Sequence, residues 1–147
     1  MTKQFSVLGI GNPIMDIIAP VPEQLLLDHN ITKGGMTLID EATALTLHKA
    51  LMAAGQTREV AGGSAANTLV GIASLGVSSA YMGKIASDDV GTRFQHGITK
   101  SGLSFNTAPK QNGATGRCMI AVTPDGERSM STLLGVATEF SPADVDS

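Results

Sequence analysis

Apolar and polar positions along this chain change period several times. Residues 5–10 form a short apolar run closed by Gly11 and Asn12, which predicts a buried strand. Residues 14–19 read as a second extended stretch, interrupted by Asp16, and Pro20 and Pro22 then punctuate the chain. A short helix is expected over 23–28, just after Pro22. Gly34 and Gly35 mark a turn before a short strand at 36–39. Asp40 is a good N-cap for a helix over 41–54 ending at Gly55, with either Leu45, His48 and Met52 or Leu47 and Leu51 on its apolar face. A strand at 58–61 leads through Gly62 and Gly63 to a helix expected to be capped by Ser64 and stopped by Gly76. A strand follows at 79–85, and Asp88 caps a helix that ends near Gly102. Two further strands, 115–122 and 128–134, flank the turn Pro124-Asp125-Gly126 and predict a hairpin. Ser141-Pro142-Ala143-Asp144 has the form of a helix start: cap, proline at the first position, acid at the third.

Strands alternating with helices predict βαβ units, an α/β fold with a mainly parallel sheet and helices on its faces. The extended pieces near 14–19, 36–39 and 115–134 fall outside that alternation. They are expected to form a separate small sheet, which would act as a lid if it projected over the strand ends. A helix signal so close to Ser147 suggests the N-terminal portion of a longer chain.

Composition narrows the class. At 147 residues with 42% hydrophobic and 16% charged positions, the chain can bury a core. Aromatics are 3% with no Trp, so that core rests on Leu, Ile, Val, Met and Ala. The net charge of −3 argues against a nucleic-acid-binding surface, which needs a basic stripe. A single Cys cannot form an intrachain disulfide, and no apolar run approaches the length of a membrane span or has the form of a signal peptide. A cytoplasmic protein is the expectation.

Several site motifs fail. Gly9-Ile10-Gly11 lacks the next glycine of a dinucleotide fingerprint, because Ile14 stands there. Gly83-Lys84 lacks both the upstream glycine and the following hydroxyl of a P-loop. His29, His48 and His96 are too far apart for a local metal motif, and no nucleophile elbow occurs. Cys118, with no nearby partner in sequence, has the pattern of an inert core thiol.

Two features remain. Gly62 and Gly63 lie between a strand and a helix, where a ligand can approach the backbone closely and the helix start offers free N–H groups. A tight βα turn needs no ligand, but Asn67, a poor helix former one turn in, either bonds the backbone locally or faces one. Asp16, within Ile14-Met15-Asp16-Ile17-Ile18, is either an outward-facing strand residue or an acceptor for the hydroxyls of a bound polyol.

Taken together these residues resemble the N-terminal half of the PfkB family, the ribokinase-like sugar and nucleoside kinases. Val7-Leu8-Gly9-Ile10-Gly11-Asn12 with Asp16 resembles the family's opening strand. Gly62-Gly63-Ser64-Ala65-Ala66-Asn67-Thr68, with Gly76 beyond it, resembles its first signature. Gly83-Lys84-Ile85 with Asp88, Asp89 and Gly91 resembles the segment that follows, with Ala86 where the family often has Gly. Thr115-Gly116-Arg117-Cys118 and Pro124-Asp125-Gly126-Glu127-Arg128 resemble the lid hairpin, and Gly-Gly-Ser-x-x-Asn with Thr-Gly-x-Cys leans toward the adenosine-kinase-like branch.

The resemblance implies a ribokinase-like, Rossmann-type sheet with helices on both faces. All of 1–147 would be the N-terminal portion of one domain, with lid segments near 13–19, 34–39 and 114–134. It implies phosphoryl transfer from ATP, with Mg²⁺, to a hydroxyl of a sugar or nucleoside. Asn12, Asp16, Gly62, Gly63 and Asn67 would bind that acceptor, Cys118 would lie near its other end, and Arg128 would approach the transferring phosphate. The family's Asp-Thr-x-Gly-Ala-Gly-Asp motif, with its catalytic base and anion hole, has no match here. No catalytic residue or metal ligand is therefore assigned, and this chain alone is expected to be inactive. The alternatives are a non-catalytic sugar- or nucleoside-binding module, and a structural role in which the lid mediates a homodimer through Met119, Ile120, Met130 and Leu133.

Overall fold

The computed structural model describes residues 4–145. Its elements are β1 (Val7–Ile10), β2 (Ile14–Pro20), α1 (Glu23–Asp28), β3 (Met36–Leu38), α2 (Glu41–Ala54), β4 (Arg58–Gly62), α3 (Ser64–Ser74), β5 (Ser79–Met82), α4 (Asp89–Lys100), β6 (Gly116–Val122) and β7 (Arg128–Leu133), followed by 3-10 turns at Gly135–Glu139 and Pro142–Asp144. The chain divides into two compact units. One takes the described residues of Met1–Met15, Ala61–Gly116 and Leu134–Ser147; the other takes Asp16–Val60 and Arg117–Leu133.

In the first unit β1 and β5 pair in parallel, from Val7 opposite Ser79 to Ile10 opposite Met82. One face of the pair carries Val7, Gly9, Ser79 and Tyr81, and α3 packs there. A Cβ on Gly9 would meet Leu69 Cδ1 at 2.5 Å, so the helix lies directly on the strand. Tyr81, Phe94 and Phe105 form an aromatic cluster with ring centroids 5.6 to 6.2 Å apart, which centres much of this core on three of the chain's few aromatics. The start of α4 is held by a compact network. The Asp88 carboxylate accepts hydrogen bonds from Gly91 N (2.7 Å), Thr115 N (3.0 Å) and Thr115 Oγ1 (2.6 Å), and Thr115 Oγ1 accepts from Ala86 N at 2.9 Å. Ala86 is buried in this network and fits without a glycine there. Lys84 and Asp144 form an ion pair, and Asp144 also closes a capping box with Ser141.

In the second unit the strand order is β3-β7-β6-β2-β4. β6 and β7 are an antiparallel hairpin, from Arg117 opposite Leu133 to Val122 opposite Arg128, and β3 joins β7 in parallel. The sheet therefore gathers the extended pieces that break the βαβ alternation in the sequence. Along β2 the side chains alternate: Ile17 and Ala19 are buried, whereas Asp16 and Ile18 are half-buried. On α2 the buried stripe is Ala44, Leu47 and Leu51, while Leu45 and Met52 are exposed, which decides between the two faces the sequence allowed. Lys33 bridges Glu23 of α1 and Asp125 of the hairpin turn.

Three expectations need correction. Ser64 is the first helical residue of α3, not its cap; the cap position is Gly63, whose φ of 99° a side chain rarely adopts, and no side chain caps the helix. The strand over 79–85 ends at Met82, because Gly83 lies so close to the Gly11–Pro13 turn that a Cβ on it would sit 2.5 Å from Gly11 O. Met119 and Ile120 are 2% exposed, so half of the apolar set suggested for a lid-mediated dimer is internal.

Candidate acceptor-binding site

In the first unit the chain leaves β1 through Gly11, Asn12 and Pro13 and returns at Gly63 to start α3. The two segments touch: a Cβ on Gly63 would lie 2.6 Å from Asn12 O. Glycine at 63 thus meets two demands at once, a left-handed φ and a backbone contact that excludes any side chain. The result seats Asn12 beside the N-terminus of α3, whose first N–H groups have no intrahelical acceptor. Asn67 N makes an early bond of the helix, to Gly63 O at 2.9 Å, and leaves the amides before it facing outward. A cleft of about 300 Å³ opens there, lined by Gly11, Asn12, Ile14, Gly63, Ser64, Ala65 and Leu134.

Of the residues singled out from the sequence, Asn12 and Gly63 line this cleft. Gly62 is the buried end of β4, and Asn67 is exposed one turn into α3. Ser64, Ala65 and Leu134 also line it. The first two were readable as neighbours of the glycine pair, but Leu134 arrives from the far end of the hairpin and carries no local signal.

The second unit holds the other named residues. Asp16 is half-buried on β2; burial pushes its carboxyl above the usual carboxylate range, and the positive charge of Arg128 opposes that shift. Cys118 is buried on β6, and Thr132, opposite it on β7, donates its hydroxyl to Sγ at 3.2 Å. Burial pushes the thiol up, with the Asp16 charge adding to the rise, while Thr132 and Arg128 act against it. A thiol held in its neutral form is a contact surface, not a nucleophile. Arg128 is exposed at the start of β7. Asp16, Cys118 and Arg128 therefore share one electrostatic environment.

Residues 29–147 match the pfkB family of carbohydrate kinases. The chain belongs to that family. It is 30% identical to adenosine kinase of Saccharomyces cerevisiae over 151 aligned residues, which take in 99% of this chain and 44% of that protein. Among solved structures, adenosine kinase from Sinorhizobium meliloti superposes with a TM-score of 0.86 at 45% identity, covering 97% of this chain and 43% of the other. A probable sugar kinase from Rhizobium etli superposes at 0.87 and 44% identity, covering 99% and 43%. The fold is thus the ribokinase-like α/β fold of adenosine kinases, and this pfkB-family chain spans less than half the length of the relatives it matches. Among its described residues no helix is long and apolar enough to cross a membrane, and no three His, Cys, Asp or Glu side chains converge on a metal-sized site.

Proposed function

We propose that this chain is the acceptor-binding half of an ATP-dependent kinase that phosphorylates a hydroxyl of a nucleoside or sugar, with adenosine the first candidate. The observation that carries the proposal is the contact of Gly63 with Asn12, which puts a polar amide beside the open N-terminus of α3 in a family of kinases. Asn12, Gly62, Gly63 and Asn67 are the hydroxyl-holding groups of the first unit. Asp16 is that of the second, with Cys118 against the acceptor and Arg128 toward the transferring phosphate. A carboxylate accepting two neighbouring hydroxyls recognises a ribose or a hexose equally, so the adenosine reading rests on the relatives.

When bound, ATP with Mg²⁺ would supply the phosphoryl group and neutralise its charge. Mg²⁺ takes one or two carboxylates together with phosphate oxygens, and the described residues gather no cluster of acids for it. The Gly-Ala-Gly-Asp segment that would form the anion hole is likewise not in the sequence. Orientation of the acceptor is what these residues can do, and orientation without charge stabilisation is a small part of phosphoryl transfer. A cytoplasmic location and a homodimer through the lid sheet belong to the same proposal; Met130 and Leu133, both half-buried, are what remains of the apolar set for that dimer.

The expected behaviour is binding without turnover. Titration calorimetry of the 147-residue chain should register heat with adenosine, less with fructose, and no ADP should form when ATP is added. Heat with neither ligand would reject the acceptor-binding reading. ADP production at the pace of an intact kinase would reject the division of labour.

A further inference from the structure

One face and one edge of the β1–β5 pair are uncovered. Opposite α3, the pair presents Leu8 and Ile10, which are 54% and 56% exposed. Strands of a parallel sheet are ordinarily covered on both faces, so two large aliphatic side chains in water on the first strand are out of place. The edge of β1 is open as well. Val7 N and Gly11 N bond to Ser78 O and Met82 O on the β5 side, so the alternation of a parallel ladder turns the N–H and C=O groups of Leu8 and Ile10 outward. The far edge of β5 is already used, by the Ser104 segment. Beside Leu8 lies a cleft of about 270 Å³, apolar at Phe5, Ala80 and Met82 and polar at Asn106 and Asp144.

We propose that this face is a docking surface for the C-terminal portion of a pfkB-family kinase chain, which lays a β-strand along the free edge of β1 and an apolar helix face over Leu8 and Ile10. Two observations select this occupant. The unpaired backbone groups call for a strand, which a small ligand or a lone helix does not provide. The relatives that superpose on nearly all of this chain are more than twice its length, so they carry a partner of the required size. The proposal concerns assembly and stands independently of the acceptor chemistry.

Amide hydrogen exchange tests it. In the 147-residue chain alone, Leu8 and Ile10 should exchange about 100-fold faster than Gly11, whose amide already bonds β5. In a chimera where this chain replaces the matching part of Sinorhizobium meliloti adenosine kinase, both should slow to the level of Gly11. Should the chimera be insoluble, the chain can be co-expressed with the tagged remainder of that kinase. The two should co-purify, and Leu8→Lys with Ile10→Lys should cut recovery by about tenfold or more by placing charges under the docked segment, without lowering the melting temperature of the chain alone. Unchanged exchange at Leu8 and Ile10 in the chimera overturns the proposal. So does failure of the pair to co-purify, recovery indifferent to the two lysines, or protection of the same amides by a homodimer of this chain.

Discussion

Asp16 is asked to do two opposed things. Its carboxylate must be ionised to accept hydroxyls, yet burial lifts its pKa from the ordinary 3.8. A carboxyl raised on folding removes stability as pH climbs from its unfolded value through its folded one, because the native state resists the charge that the unfolded chain accepts freely. Asp16→Asn should therefore melt a few degrees higher than the parent at pH 7, with the gap closing near pH 3, where the group is protonated in both states. Adenosine binding should move the other way, weakening about tenfold to a hundredfold with the loss of charge-assisted hydrogen bonds. Paired calorimetric melts and titrations give both signs. A variant that lost stability and kept its affinity would make Asp16 an ordinary strand residue. The sequence offered both readings of this residue, because alternation along β2 places Asp16 on the half-buried face whichever role it has.

Among the elements, α2 and α3 differ in how much of their geometry is local. The helix α2 runs from Glu41 to Ala54 as its pattern predicts, and the Asp40 carboxylate accepts from Thr43 N at 2.8 Å, the bond that makes aspartate a good cap. The start of α3 cannot be read that way. Its cap is a glycine whose φ of 99° is imposed by the approach of Asn12, a residue 51 positions away in the chain. Cap preferences favoured Ser64 because they contain no information about that contact. The 3-10 turn at Gly135–Glu139 and the arrival of Leu134 at the cleft were hidden for the same reason. Two glycine substitutions separate the cases. Gly63→Ala should cost about 1–3 kcal/mol in urea unfolding, from strain and the Asn12 contact. Gly71→Ala, inside α3 with nothing within 4 Å of its Cβ, should add about 0.4–1 kcal/mol. Thr115→Val examines the start of α4. It leaves the buried amide of Ala86 without its acceptor and takes a donor from Asp88, so a loss of about 1–3 kcal/mol by the same measurement is expected. A loss near zero would mean that water replaces the hydroxyl.

At the scale of the whole molecule, the α/β class and the family were legible because short motifs recur in family order across the chain. The separation of the 14–20, 36–38 and 116–133 strands from the βαβ alternation was legible too, since Pro20, Pro22, the Gly34-Gly35 pair and the Pro124–Gly126 turn interrupt the helical periods locally. The exposure of Leu8 and Ile10 was not, because an apolar run in the sequence does not say which of its faces the rest of the chain will reach.

The chain crosses between its two units four times, at Met15–Asp16, Val60–Ala61, Gly116–Arg117 and Leu133–Leu134. Neither unit is continuous, so on the ribosome neither can be completed early. The second waits for the β6–β7 hairpin, and the first waits for the residues after Leu134. At ordinary translation speeds that is a delay of roughly 7–30 s, during which the apolar runs of β1, β2 and α3 are already outside the tunnel. Pairings this distant in sequence also make folding slow once the chain is free. Arrested chains ending at residue 116 should be digested by a dilute protease as readily as an unfolded chain, with resistance appearing only after the hairpin and the segment behind it have emerged. Chaperone demand during synthesis follows from the order in which this fold is threaded.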